Sequence, residues 1–105
     1  MATRNEAPAR MAIHPGTILK EELRERKIKQ RELAEQMGMQ PSHLSEIVRG
    51  KRPMTKAVAD KLETVLGIPS IDWMRLQLAY DYKILDQESG FSERLNRLRK
   101  GAAIL

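Results

Sequence analysis

Apolar residues in this 105-residue chain recur every three or four positions and never alternate over a useful length. That spacing predicts helices and no strands. Residues 1–12 carry no sustained period and are expected to form a mobile arm. Pro15-Gly16-Thr17 opens the first helix, since proline is tolerated in a first turn. Ile18, Leu19 and Leu23 give it an apolar stripe, and Lys20, Glu21, Glu22, Arg24, Glu25 and Arg26 cover its other faces. A second helix is predicted from Gln30 to Met37, with Leu33, Ala34 and Met37 inward and Gly38 after it. A third runs from Pro41 to about Arg49, burying Leu44, Ile47 and Val48 and ending at Gly50. Thr55 caps a fourth, whose Val58, Leu62, Val65 and Leu66 share one face. Gly67 and Pro69 stop it.

Ser70 is expected to cap a fifth helix, Ile71 to Leu85. This one has two apolar stripes: Trp73, Leu76, Tyr80 and Ile84, and Met74, Leu78, Tyr82 and Leu85. One can close the core of a small domain. The other calls for a cover, either a second copy of the chain or the chain's own last segment. The first option makes Trp73, Met74, Leu76, Leu78, Tyr80 and Tyr82 the expected dimer interface. Asp86 to Gly90 reads as a connector. A short helix, Ser92 to Lys100, follows with Leu95 and Leu98 inside, ended by Gly101. The expected organisation is an arm over 1–12, a helical domain over 13–85 and an extension over 86–105.

Composition narrows the function. Apolar residues make up 41% and charged residues 31%, which suits a folded chain. Cysteine is absent, so disulfides and thiolate metal sites are out, and a reducing cytoplasm is the expected setting. With only His14 and His43, a multi-histidine metal site is out as well. Neither a secretory leader nor a membrane span is expected. There is no Ser-His-Asp set, phosphate loop or metal cluster, so the chain is not read as an enzyme and no cofactor is expected. The net charge is +5, and +4 of it falls within residues 27–56. Such a local excess of cations points to a polyanionic partner.

The same segment holds the motif. From Gln30 to Arg49, two short helices are joined by a tight turn. Ala34 is small where the next helix crosses it, and Gly38 supplies the positive φ of the turn. Leu33, Met37, Met39, Leu44 and Ile47 lie where these helices meet the first. This is the helix-turn-helix pattern, whose second helix is presented to the major groove of DNA. A plain helical hairpin is the bland alternative.

From His14 to Asp81 the sequence resembles the Xre/Cro-type helix-turn-helix family, and more closely its HigA-like antitoxin branch. The match is carried by His14-Pro15-Gly16 with Ile18 to Leu23, by Gln30 to Ala34, and by Pro41 to Ile47. Gly50-Lys51-Arg52-Pro53, Leu62-Glu63, Trp73, Leu76-Gln77 and Tyr80-Asp81 complete it. The resemblance implies an all-α, five-helix, lambda-repressor-like domain with a C-terminal helical extension. It also implies a homodimer that binds double-stranded operator DNA, represses its own operon and neutralises a HigB-like toxin that cuts mRNA. A stand-alone repressor without a toxin is the alternative, and an interaction module without DNA is a third. Two positions depart from the family pattern. Lys29 replaces the usual Ser or Thr of a capping box, and Gln40 replaces the usual Ser or Asp before Pro41.

The expected DNA-binding residues are Gln30, Gln40, Pro41, Ser42, His43, Ser45, Glu46, Arg49, Lys51 and Arg52. Gln40, Ser42 and Glu46 are read as base readers, since Gln suits adenine and Glu accepts from cytosine. Glu46 has a second reading, as an ion-pair partner of Arg49 on the same helix. Arg49 is a reader or a phosphate clamp. Gln30 opens a helix whose free N–H groups can hold a phosphate. Lys51 and Arg52 are read as phosphate contacts. His43 is read as a neutral neighbour of the backbone.

Overall fold

The computed structural model describes residues 12–88 and 90–104. All of its secondary structure is helical: α1 Pro15–Arg26, α2 Gln30–Met37, α3 Pro41–Val48, α4 Lys56–Leu66, α5 Ser70–Glu88 and α6 Phe91–Ile104. The arm expected over 1–12 lies, apart from Ala12, outside the described residues.

The core forms where α1 to α5 converge. Leu19, Leu33, Ala34, Leu44, Ile47, Ala59 and Leu62 are fully buried, and Leu23, Met37, Val48, Met54, Val58, Leu66 and Trp73 nearly so. Each large side chain removed from water stabilises the fold by about 1.5–3 kcal/mol before entropy is counted. The periodicity therefore located the core well, with exceptions. Ile18 is 37% exposed, so the inward stripe of α1 narrows to Leu19 and Leu23. Val65 is only partly buried at the edge. Trp73 corrects the reading of α5: at 1% exposure it is the largest core side chain and is unavailable to a second subunit.

Helix boundaries follow local chemistry. The αL residue that ends α1 is Lys27, at φ 58°, with Ile28 N–H bonded to Leu23 O at 2.9 Å. Arg26 braces this end, bonding Glu22 and donating to the Leu66 carbonyl at 2.8 Å, which ties α1 to the end of α4. Thr55 caps α4 as expected, accepting from Val58 N–H at 3.3 Å. Ser70, by contrast, is not a cap. It is the first residue of α5, and its N–H is held by the Glu63 carboxylate at 3.0 Å. The connector expected at 86–90 is displaced, because α5 continues to Glu88. Nor does Gly101 end the last helix, which runs on to Ile104 with Leu98 63% exposed.

Two close approaches fix where α3 sits. Gly16, in the first turn of α1, lies against the last carbonyls of α3. A Cβ there would collide with Ile47 O and stand 2.8 Å from Val48 O. His14 caps α1, its Nδ1 accepting from Gly16 N–H at 2.9 Å. Its ring stands edge-on to Tyr80 of α5, with centroids 4.9 Å apart, and would lie 3.5 Å from a Cβ placed on Gly50. The Arg52 backbone lies close enough to favour the charged form of the same ring. From α5, the buried Gln77 reaches the same loop. Its Oε1 accepts from Met54 N–H at 2.7 Å, and its Nε2 donates to Asp81 at 2.8 Å. Sequence spacing signals neither His14 nor Gln77 as a brace, because both act across the chain.

Two outcomes follow. Alanine in a helix usually gains about 0.5–1 kcal/mol over glycine. At Gly16 the added methyl meets rigid backbone, so Gly16→Ala should instead cost about 3 kcal/mol. Urea unfolding of the two proteins gives the sign directly. The second outcome concerns pH. Burial pushes the His14 pKa below the usual 6.5, against opposing pulls from the Arg52 backbone and the Asp81 charge. A cationic imidazole donates at both nitrogens and cannot accept from Gly16 N–H. The unfolded chain then takes up this proton first, so stability present above the unfolded value drains away as pH falls below it. Thermal melts from pH 7.5 to 5.5 should decline for the wild type and flatten in His14→Asn, which keeps a capping oxygen.

Candidate nucleic-acid interface

The turn between α2 and α3 is made as the sequence predicts. Gly38 has φ 64°, and Met39 N–H closes back on Ala34 O at 3.0 Å. This is a Schellman stop, which satisfies the last carbonyls of α2 and redirects the chain. Pro41 then starts α3 at a position that needs no N–H. Leu44, Ile47 and Val48 anchor α3 to the core.

The opposite side of α3 is open. Gln40, Pro41, Ser42 and Arg49 are exposed, and His43, Ser45 and Glu46 are half-buried along its flank. Among the described residues no other helix covers this polar side. Gln30, the first residue of α2, is half-buried nearby in the chain's helix pair. A second Schellman stop ends α3: Lys51 N–H bonds Glu46 O at 2.8 Å, and Gly50, at φ 78°, bonds Ile47 O at 3.0 Å. This stop folds Lys51 and Arg52 back toward the outer side of α3, both exposed.

Glu46 has a different partner from the one expected. It pairs with the Arg52 guanidinium through Nε, not with Arg49. That hydrogen bond and charge hold the Glu46 carboxyl below the usual carboxylate range. Arg49 turns back on its own helix, with Nε 3.4 Å from Ser45 O. The sequence offered i, i+3 spacing for the first pairing and no signal for the second, which depends on the turn at Gly50.

Capping differs between the helices. His14 and Thr55 cap α1 and α4 with side chains. At α2, Lys29 has no acceptor to offer. Half of the capping box survives, since Glu32 accepts from Lys29 N–H at 3.0 Å. Gln40 makes no side-chain cap on α3. Neither motif helix therefore has its first turn closed by a side chain of its N-cap residue.

The expected dimer residues separate into two sets. Trp73 and Leu76 pack into or against the core, and Tyr80 lies half-buried against His14. Ile71, Leu78, Tyr82 and Leu85 are 54–66% exposed on α5. They recur at positions 71, 78, 82 and 85, one face of the helix, with half-buried Met74 on the same side. An open depression of about 360 Å³ adjoins it, lined by Tyr80, Asp81, Ile84 and Leu85. Among the described residues no His, Cys, Asp or Glu group is arranged to hold a metal ion. No described helix is long and apolar enough to cross a membrane.

Known proteins share this architecture. A family model described as helix-turn-helix matches residues 19–73. Virulence-associated protein I of Dichelobacter nodosus is 39% identical over 88 residues, covering 83% of this chain and 79% of its own. The solved structure of an addiction module antidote protein of the HigA family from Coxiella burnetii superposes with a TM-score of 0.73 at 32% identity. It covers 82% of this chain and 92% of that one. The Pseudomonas aeruginosa antitoxin HigA, solved with the higBA promoter, gives 0.72 at 30% identity, covering 76% and 88%. By its motif, its fold and these matches, the chain belongs to the helix-turn-helix family, in the Xre-type, HigA-like branch.

Proposed function

We propose that this chain is a homodimeric antitoxin that binds operator DNA with α3, represses its own operon and neutralises a HigB-like mRNA-cleaving toxin in the cytoplasm. One observation carries the DNA-binding part: the polar side of α3 stands open, flanked by a loop that presents Lys51 and Arg52. In this reading Gln40, Ser42 and Ser45 meet base edges, and Pro41 packs against the groove wall. Arg49 takes a guanine or a phosphate. Gln30 and the uncapped start of α2 take a phosphate, as do His43 and Lys51. The antitoxin part is supported by the HigA-family relatives, one of them solved with its own promoter.

One α3 spans only a few base pairs, so specificity calls for a second copy about 34 Å away along the duplex. The α5 face of Ile71, Leu78, Tyr82 and Leu85, with Met74, is the surface we assign to that copy. Trp73 drops out of the interface, and Leu76 and Tyr80 lie at its inner margin. An exposed apolar face of this kind otherwise stays in water at a cost.

Co-expression with the product of the adjacent gene, followed by purification of one tagged partner, tests the antitoxin assignment. Co-purification with loss of ribonuclease activity is the expected outcome. Failure to co-purify leaves the stand-alone repressor. Leu78→Glu should convert a dimer to a monomer in sedimentation experiments and weaken operator binding at least about tenfold, with the fold intact. Tight binding by that monomer would remove α5 from the account. Lys51→Ala should weaken binding to all duplexes alike. It should also flatten the salt dependence by about one unit per half-site. An unchanged slope places Lys51 off the DNA.

A further inference from the structure

The ion pair between Glu46 and Arg52 sits awkwardly on a face meant for a polyanion. A carboxylate there repels phosphate, and pairing it consumes the charge of a cation that could have met the DNA alone. The pairing geometry resolves this. The stop at Gly50 and Lys51 folds the loop back over the last turn of α3 and brings Arg52 to Glu46, six residues away. The bond is made through Nε, the inner nitrogen of the guanidinium. The two terminal nitrogens remain as a parallel donor pair on a side chain that is 53% exposed. Such a pair matches two oxygens of a phosphate, or O6 and N7 of a guanine. The hydrogen bond and charge of Arg52 also lower the Glu46 pKa, which favours the ionised form that makes the brace.

We propose that Glu46 is a positioning residue that reads no base: it holds the Arg52 guanidinium beside α3 as a preset bidentate donor for two acceptor atoms of the DNA. This rests on the DNA-binding reading above. Fixing a long side chain before docking removes ordering entropy that binding would otherwise lose. Lysine cannot substitute, because an ammonium has neither the inner nitrogen for the brace nor the fork for the ligand.

The test is a double-mutant cycle. The probe is the duplex best bound by the wild-type chain after selection from a randomised library. Glu46→Ala, Arg52→Ala and the double variant are compared, each first shown to be folded by circular dichroism and a thermal melt. Glu46→Ala is expected to weaken binding at least about fivefold, and to have no further effect once Arg52 is alanine. Glu46→Gln should fall between wild type and Glu46→Ala, since its amide oxygen can still accept from Nε. Arg52→Lys should not restore affinity. Tighter binding by Glu46→Ala in both backgrounds would overturn the proposal, leaving Glu46 a mere repulsive charge. A changed preference at one base pair, equal with and without Arg52, would overturn it in favour of direct cytosine reading. Repeating the selection with Arg52→Ala assigns the acceptor atoms. Loss of one preferred guanine marks a base edge, and uniform weakening with a slope shallower by about one marks a phosphate. If the wild-type chain selects no duplex, the DNA-binding reading itself fails. If it selects one and the cycle is additive, only the present inference fails.

Discussion

The contact of Gly16 with the final carbonyls of α3 governs the rest of the structure. It lets the first turn of α1 abut the end of a short helix with no side chain between them. Eight residues are too few for α3 to be stable alone in water. Its position has to come from packing: Leu44, Ile47 and Val48 beneath it and Gly16 behind it. His14 and Gln77 then secure the loop that leaves α3, from α1 and from α5. Because all of these supports lie on the inner side and the C-terminal end, the outer polar side stays uncommitted. The helix is anchored on its apolar side and bare on its polar one.

Charge follows the same division. The cations of residues 27–56 are mostly exposed, and few of them are spent inside the fold. The ion pairs outside that segment, such as Arg24 with Glu21 at 3.0 Å and Arg75 with Asp72 at 3.9 Å, are surface pairs. Water screens each of them, so each adds little to stability. The unpaired cations around α3 instead raise the positive potential on that side of the molecule. The helix starts differ too. Where α1 and α4 close their first turns with N-cap side chains, α2 and α3 do not. The weak caps at Lys29 and Gln40 cost some helix stability.

Much of this was legible in the sequence because it is local. Periodicity and punctuation placed α2 from Gln30 to Met37, the turn at Gly38, the start of α3 at Pro41, the Thr55 cap and most of the core. Most of the misses share one cause: they depend on residues brought together by the fold. Trp73 and Leu78 sit on one amphipathic helix, and only the arrival of α1 and α4 decides that the first is core and the second exposed. The ion pair of Glu46 looked like a helix neighbour at Arg49, until the reversal at Gly50 brought Arg52 closer. Gly16 read as a helix opener. Its true constraint, a carbonyl of α3 at van der Waals range, lies thirty-one residues downstream at Ile47. The length of α6 and the continuation of α5 to Glu88 were missed because Gly101 and the polar run after Leu85 are weaker stops than they look.

The most direct test of the account is an amide chemical-shift map of the labelled chain titrated with a selected duplex. Binding through the bare side of α3 predicts the largest changes at residues 40–46, Arg49, Lys51 and the start of α2, with Leu62 and the exposed side of α4 nearly still. Changes confined to α5 and α6, with α3 silent, would contradict it.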